Sequence, residues 1–147
     1  MEYNNAEFLY ETEVPEEQLI VSRTDLEGTI IYANETFLRI SGYTHDELVG
    51  QKHNIIRHPD MPDSIFADLW NTLKEHEQWT GKIKNLRKDK GFYWVHATIS
   101  GVYHDGTLVA YKSIRVPITI DEKIDAQKKY DKLKKDNNEK TRHIIYK

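Results

Sequence analysis

Alternation of apolar and polar residues predicts five β-strands, two in the first quarter of the chain and three after residue 78. The first pair covers residues 19–24 and 29–33, separated by a turn whose Gly28 can adopt the positive φ that a hairpin needs. The later strands are predicted at residues 79–87, 92–103 and 107–116, joined by turns at 88–91 and 104–106. Asp-Gly in the last turn is a strong hairpin signal, so these three strands should form a meander.

Between the two groups of strands, apolar residues recur at helical spacing. Asn34 is a suitable N-cap for a short helix that ends at Gly42, and Thr44 with Glu47 forms a capping box for a second helix that ends at Gly50. A longer helix is predicted over residues 63–77. Its apolar face consists of Ile65, Phe66, Leu69, Trp70 and Leu73.

This order of elements predicts an α+β fold, a five-stranded antiparallel sheet with short helices on one face. The folded domain should cover residues 18–118. Residues 1–17 are acidic and form an N-terminal cap, either a frayed start or a short docked helix. Residues 119–147 carry more bases than acids and show a loose apolar stripe, which predicts a C-terminal signalling or dimer helix.

Strand parity separates an inner from an outer face of the predicted sheet. On the middle long strand, an apolar set faces one side, while Trp94 and His96 face the other. Trp94 and His96 should form a partner or dimer surface, or be covered by the N-terminal helix. On the preceding strand Asn85 shares the inner face with Ile83, where its amide needs hydrogen-bond partners that the polar edge of a ligand could supply.

Residues 54–62 form an ordered connector that joins the short helices to the long one. Pro59 and Pro62 lack N–H donors and force the residues before them out of helical geometry. Arg57, His58 and Asp60 place a cation, an imidazole and a carboxylate beside the apolar face of the long helix. Polar groups at the mouth of an apolar wall are typical of a small-molecule pocket.

Composition narrows the possible chemistry. The 147-residue chain contains no cysteine, which excludes disulfides, thiolate metal sites, iron–sulfur clusters, cysteine nucleophiles and a cysteinyl photoadduct. The chain has no run of eighteen apolar residues, so the sequence predicts no membrane span. Its acidic start does not resemble a secretion signal, and a cytoplasmic location is expected. The net charge of −3 does not favour nucleic acid as a partner.

Several of these segments together resemble PAS domains. The general part of the resemblance lies in Gly28 with residues 29–34, in Phe37, in Ser41-Gly42-Tyr43 and in Glu47-Leu48-Val49-Gly50. A more specific part is similar to the aerotaxis-receptor type of PAS domain and covers residues 53–62, 66–70, 79–81 and 84–88. The resemblance as a whole extends over about residues 18–120.

The resemblance implies non-covalent binding of FAD and a response to the redox state of the cell. It also implies a chemotaxis-type transmembrane receptor, or its signalling region, as the partner, and a homodimer. The chain is then either a piece of such a receptor or a free-standing PAS protein that signals through a separate one. By position, the residues placed at or near the flavin are Asn34, His53, Arg57, His58, Asp60, Trp70, Trp79 and Asn85.

The chain departs from the light-sensing flavin PAS domains at three positions. His53 stands where those domains carry the reactive cysteine, Val95 where they carry a second asparagine, and Arg115 where they carry a glutamine. A cation beside a flavin favours an anionic reduced form. Arg115 is therefore added to the predicted cofactor-binding residues as a determinant of the redox response.

Three alternatives remain open at the level of sequence. A haem held by one histidine would make the chain a gas sensor, although no pair of histidines has a clean ligand spacing. A ligand-free PAS module would serve only dimerisation or interaction. A small flavin reductase would need a second substrate site and a catalytic pair, and the sequence indicates neither, so a non-enzyme is expected.

Overall fold

The computed structural model describes residues 10–139, which form one antiparallel sheet with helices on both faces. The elements in chain order are β1 Ile20–Thr24, β2 Ile30–Ala33, α1 Glu35–Ser41, α2 His45–Leu48, a 3₁₀-helix His53–Ile56, α3 Asp63–Lys74, β3 Trp79–Leu86, β4 Phe92–His104, β5 Thr107–Val116 and α4 Ile120–Asp136. The strand order across the sheet is β2-β1-β5-β4-β3. The predicted α+β class and the five-stranded antiparallel sheet are confirmed.

Helix α1 begins and ends where its capping residues predict, and α2 begins at its predicted cap but ends at Leu48, two residues before Gly50. The Asn34 side chain accepts a hydrogen bond from the Phe37 amide, and Gly42 ends α1 in the left-handed conformation with φ of 82°. Thr44 and Glu47 form the reciprocal capping box that starts α2. Because such short helices are unstable alone, the caps fix their ends while packing on the sheet keeps them folded.

One end of each of β1, β2, β3 and β4 differs from the prediction by one residue, and larger differences lie in α3 and in the N-terminal segment. Helix α3 ends at Lys74 instead of residue 77, and His76 just beyond it adopts a left-handed φ of 60°. Strand β4 continues to His104. Residues 10–19 contain no helix; Glu11 instead forms a bridge with Phe92 at the start of β4. The remainder of the predicted N-terminal flank, and residues 140–147, lie outside the described residues.

The core forms between the inner face of the sheet and helices α1 to α3. Tyr93, Val95 and Ala97 of β4 are fully buried there, and Ile83 and Asn85 of β3 are buried beside them, as strand parity predicts. The inner face of the sheet therefore lies directly under the connector and α3.

Helix α4 lies on the other face of the sheet and corrects one expectation. Trp94 points outward yet is buried, because the Tyr130 ring of α4 stacks on it with ring centroids 6.3 Å apart. The Tyr130 hydroxyl also donates a hydrogen bond to the Lys82 carbonyl of β3. Trp94 is therefore covered by the C-terminal helix of its own chain, and neither a partner surface nor an N-terminal helix is needed to explain it.

Candidate functional site

A cavity of about 240 Å³ opens between the inner face of the sheet and the connector with α3. A single buried water needs only about 15 Å³, so the space is far larger than an ordinary packing defect. Its apolar walls are Ile56, Phe66, Leu69, Trp70, Leu73, Ile83 and Ile99. Its polar lining consists of Ser22, Thr24, His53, Asn54, Arg57, Asn85, Tyr111, Lys112, Ser113 and Arg115.

Arg115 of β5 carries a buried positive charge to one end of this cavity. The residue is 1% exposed, and its guanidinium lies 4.4 Å above the Phe37 ring. Nη2 donates to Ser22 Oγ at 2.8 Å and Nη1 donates to His53 Nε2 at 3.3 Å. Burial lowers the pKa of Arg115 to about 10, so the group stays protonated at neutral pH. No carboxylate within residues 10–139 pairs with it.

His53 completes this end of the cavity as a neutral ring. Its Nε2 faces both the Arg115 guanidinium and Ser22 Oγ, the latter at 3.2 Å, and the ring stacks near Phe37. Loss of water around the imidazole, together with the Arg115 cation, lowers the pKa of His53 to about 3. At neutral pH His53 therefore accepts the hydrogen bond from Arg115 and holds its own proton on Nδ1.

Two polar atoms on the lining residues have no hydrogen-bond partner in the described part of the chain. They are Nε of Arg115 and Oγ of Ser113, both buried. An unpaired buried polar group costs about 1–3 kcal/mol of stability. Both residues line the cavity, and Ser113 lies directly opposite Ser22 in the β1–β5 register. These atoms fit a ligand that presents hydrogen-bonding atoms and negative charge to this end.

The other end of the cavity is formed by β3 and the connector. Asn85 is buried and lines the cavity, and its backbone forms a bridge with Arg57 of the connector. The Arg57 guanidinium lies 3.9 Å from the centre of the Phe66 ring, pairs with Asp63 and remains partly exposed. Trp70 packs edge-on against Tyr111 and is 40% exposed at the mouth.

The structure thus brings five of the nine predicted site residues to one cavity: His53, Arg57, Trp70, Asn85 and Arg115. The other four do not line it. Asn34 serves as the N-cap of α1, and its amide also donates to the Leu19 carbonyl. The indole Nε1 of Trp79 donates to Asp68 at 2.9 Å, which joins β3 to α3.

His58 and Asp60 also lie outside the cavity lining, although they belong to the most specific motif of the chain. His58 is buried, and its Nδ1 accepts a hydrogen bond from the Asp60 amide at 3.0 Å. The Asp60 carboxylate accepts from Lys84 Nζ at 2.8 Å on the opposite face of β3. Neither residue lines the cavity, because the connector turns between Arg57 and Asp60, and their predicted place near a ligand stays a prediction.

Six polar lining residues were not among the predicted site residues: Ser22, Thr24, Asn54, Tyr111, Lys112 and Ser113. Ser22 shares its side of β1 with Ile20 and Thr24, and Ser113 and Tyr111 share parity with Arg115 on β5. The sequence prediction rests on the parity of β3 and β4 alone. The parity of β1 and β5 is the signal that places these polar residues on the inner face.

No group of three or more His, Cys, Asp or Glu side chains within residues 10–139 is arranged to hold a metal ion. Over the same residues, no helix combines the length and the apolar character needed to cross a membrane.

Comparison with known proteins supports one family for this arrangement. The family model described as "PAS fold" matches residues 30–115. The aerotaxis receptor of Escherichia coli strain K12 is 46% identical over 111 residues, which cover 76% of this chain and 22% of the receptor. A nitrogen fixation regulatory protein of Klebsiella oxytoca is 32% identical over 113 residues, which cover 76% of this chain and 23% of that protein.

One similar solved structure is described as "Flavin Analogue Sheds Light on Light-Oxygen-Voltage Domain Mechanism". It superposes on this chain with a TM-score of 0.68. It is 22% identical and covers 78% of this chain and 89% of its own, so the likeness concerns the fold. This chain spans less than a quarter of the length of the two curated relatives. The match to the family model over most of the sheet and all the cavity-forming helices shows that the chain belongs to the PAS fold family.

Proposed function

We propose that this chain is a sensory PAS domain that binds FAD non-covalently in the cavity and signals its redox state in aerotaxis. Similarity to an aerotaxis receptor supports a role in taxis. The fold shared with a light-oxygen-voltage domain that was studied with a flavin analogue supports a flavin as the ligand. The proposed partner is a chemotaxis-type receptor or its signalling region, with the domain in the cytoplasm and acting as a homodimer.

The observation that carries this proposal is the buried Arg115 cation at one end of an apolar cavity. It has no carboxylate partner among residues 10–139, and its Nε is one of the unpaired buried atoms. A flavin presents carbonyl oxygens and ring nitrogens along one edge of a flat apolar ring system. Arg115 and Ser113 would bind such acceptors, and the apolar residues of α3 and β3 would pack on the ring.

The far end of the cavity suits the rest of the cofactor. Asn85 can both donate and accept hydrogen bonds within the cavity, and Arg57 lies at its partly exposed edge. A guanidinium at a cavity mouth would bind a phosphate through two parallel hydrogen bonds. The exposed edge of Trp70 adds an aromatic surface beside it.

A bound flavin supplies reversible electron transfer that changes the charge on its ring. The residues of this chain would respond to that charge. Arg115 and Ser113 lie on β5, which pairs with both β1 and β4, so a shift of these side chains would act on the centre of the sheet. The sheet would pass the change to the flanking segments and bias a two-state contact with the receptor. No turnover is proposed.

The visible spectrum of freshly purified protein, with the released chromophore identified by chromatography, tests this proposal. A flavin spectrum and release of FAD are expected, with loss of colour in Asn85→Ala but not in Asn71→Ala, a change on the exposed side of α3. A Soret band would favour haem, although His53, the histidine among the described lining residues, already faces Arg115 through Nε2.

A colourless protein that takes up neither FAD nor FMN would support a ligand-free interaction module and overturn the proposal. Steady oxidation of NADH or NADPH by the coloured protein would contradict the proposed absence of turnover.

A further inference from the structure

The connector has a second polar face that points away from the cavity. Asp60 lies three residues beyond Arg57, and its carboxylate accepts a hydrogen bond from Lys84 Nζ at 2.8 Å. Lys84 is on the outer face of β3 yet only 8% exposed. Its ammonium group also lies 4.6 Å from the centre of the Phe92 ring. The pair is therefore a partly dehydrated ion pair on an aromatic surface.

Helix α4 completes this cluster from outside the sheet. Gln127 Oε1 accepts a second hydrogen bond from Lys84 Nζ at 3.2 Å. Lys134, which is 4% exposed, donates from Nζ to the Pro59 carbonyl at 3.1 Å. A buried ammonium group that loses its hydrogen-bond partner is costly, so the distance between Lys134 and the Pro59 carbonyl can change little.

The same short segment of β3 holds the connector on its cavity side. Lys84 and Asn85 are consecutive, so their side chains point to opposite faces. Asn85 lines the cavity and bridges Arg57 through the backbone, while the Lys84 amide donates to Met61 Sδ at 3.4 Å. Two neighbouring residues of one strand therefore fix both faces of the connector.

The connector itself is too short and too constrained to absorb a shift on one face. Pro59 fixes its own φ and Pro62 restricts the residue before it, so few dihedral angles between Arg57 and α3 are free to change. A shift of the Pro59 carbonyl toward or away from α4 is therefore expected to reach Arg57, two residues earlier, at the cavity.

We infer that Lys134 and Gln127 of helix α4 are positioning residues for the cavity, acting through Pro59 and Asp60 of the connector. Docking of α4 and binding of a ligand in the cavity are then coupled. The coupling is reciprocal, because a helix that favours the binding-competent connector must itself be favoured by the ligand. The identity of the ligand as FAD rests on the proposed function, whereas the coupling between α4 and the connector does not.

The chain offers a matched pair of lysines for the test. Lys134 is buried against Pro59, and the adjacent Lys135 is exposed on the same helix turn. Lys134→Met keeps most of the buried stem and removes the ammonium, and Lys135→Met makes the same change where the side chain is solvated. Lys134→Arg keeps a positively charged hydrogen-bond donor at this position and should keep the contact with the Pro59 carbonyl.

Hydrogen–deuterium exchange of the 147-residue chain is the first measurement, made without ligand. Lys134→Met should raise the exchange rate of connector residues 54–62 about tenfold, the size expected for loss of a charged hydrogen bond. Exchange in β4 and β5 should stay unchanged, which separates this effect from general destabilisation. Lys135→Met should leave all three segments unchanged, and Lys134→Arg should return the connector rate toward that of the unaltered protein.

Binding of added FAD is the second measurement. Lys134→Met should lower the affinity for FAD about tenfold by the same reasoning. Bound FAD should in turn slow amide exchange in α4 of the unaltered protein. An unchanged connector rate in Lys134→Met would overturn the inference, as would a raised rate with undiminished FAD affinity. If the unaltered protein binds no FAD, the proposed function fails, but the exchange experiment without ligand still decides whether α4 positions the connector.

Discussion

Arg115 is the residue on which the chemistry of the cavity depends. A buried guanidinium surrounded by a hydroxyl, a neutral imidazole and an aromatic ring is stabilised far less than one paired with a carboxylate. Its burial is therefore unfavourable for folding unless a ligand supplies compensating negative charge. Residues held in an unfavourable state by their surroundings are typical of functional sites.

Replacement of Arg115 by glutamine should lower the midpoint potential of the bound flavin. The cation stabilises negative charge that arrives on reduction, so its removal disfavours the reduced state. If the reduced flavin loses about 1.4–2.8 kcal/mol of stabilisation, the midpoint potential of a two-electron couple falls by about 30–60 mV. Redox titration followed by absorbance measures this shift, and Arg23→Gln at an exposed position of β1 is the control.

The same substitution should leave the unliganded protein at least as stable as before, because it removes a buried charge. A potential that does not differ from that of Arg23→Gln would remove Arg115 from the redox response. A large loss of stability without ligand would show that the Ser22 and His53 contacts already satisfy the guanidinium.

His53 should make the unliganded fold sensitive to acid. Burial beside Arg115 lowers the pKa of His53 from 6.5 to about 3 in the folded protein. The unfolded chain therefore binds a proton between these two pH values that the folded chain excludes. The stability that the neutral ring contributes is complete above pH 6.5 and is lost progressively as the pH falls toward 3.

Denaturant unfolding at several pH values measures this effect. Between pH 6 and 4, His53→Gln should reduce the slope of unfolding free energy against pH by about 1.4 kcal/mol per pH unit, the value for one proton. His104→Gln removes an exposed histidine and is the control. Equal slopes in His53→Gln and the unaltered protein would show that His53 is solvated.

At the scale of elements, β3 separates the cavity from α4, which packs on the opposite face of the sheet. β3 presents Asn85 to the cavity and Lys84 to α4, so one strand contacts both layers. Helix α4 has a weakly apolar face, and most of the stability of a helix in a protein comes from its tertiary packing. Its folding depends on a few anchoring contacts with the sheet, of which Tyr130 on Trp94 is the largest aromatic one among the described residues.

Tyr130→Ala should release α4 from the sheet. Loss of a buried aromatic ring costs about 3 kcal/mol, while Tyr130→Phe loses only the hydrogen bond to the Lys82 carbonyl and costs about 1 kcal/mol. Trp94 would become exposed in Tyr130→Ala, which should shift tryptophan fluorescence to longer wavelength. Ile124→Ala, on an exposed position of the same helix, should change neither quantity. Unshifted fluorescence in Tyr130→Ala would mean that α4 stays docked through other contacts.

At the scale of the whole molecule, the ligand is expected to act as a missing part of the core. The cavity lies between the two layers that form the fold, and its wall includes β1, β3, β4, β5, α3 and the connector. A ligand that fills it would contact most elements at once. Binding should therefore stabilise the whole domain cooperatively rather than one loop.

Thermal unfolding with and without FAD tests this expectation. At an FAD concentration of about 100 times Kd, the free energy of unfolding should rise by about 2.7 kcal/mol. For a chain of this size that corresponds to an increase in Tm of about 5–10 °C. FMN, which lacks the adenosine half, should give a smaller increase at equal concentration. A Tm that does not respond to either flavin would contradict a ligand-filled core.

The sequence by itself determined the elements and their faces. Asn34, Gly42 and the Thr44–Glu47 capping box set helix ends through local hydrogen bonds and backbone geometry, which do not depend on distant residues. Alternation along β4 and β3 placed Val95 and Asn85 inside for the same local reason. The connector carries the most specific part of the resemblance to aerotaxis-type PAS domains, and its Asn54, Ile56 and Arg57 line the cavity.

Only the tertiary structure decided which polar residues share the cavity. Arg57 and Asp60 are close in sequence, but the connector turns between them, and their side chains lie on opposite faces of β3. Arg115, Ser22 and His53 are distant in sequence and meet because β1 and β5 pair beneath the 3₁₀-helix. Such contacts depend on the pairing of strands and the direction of a short loop, and neither is encoded in local periodicity.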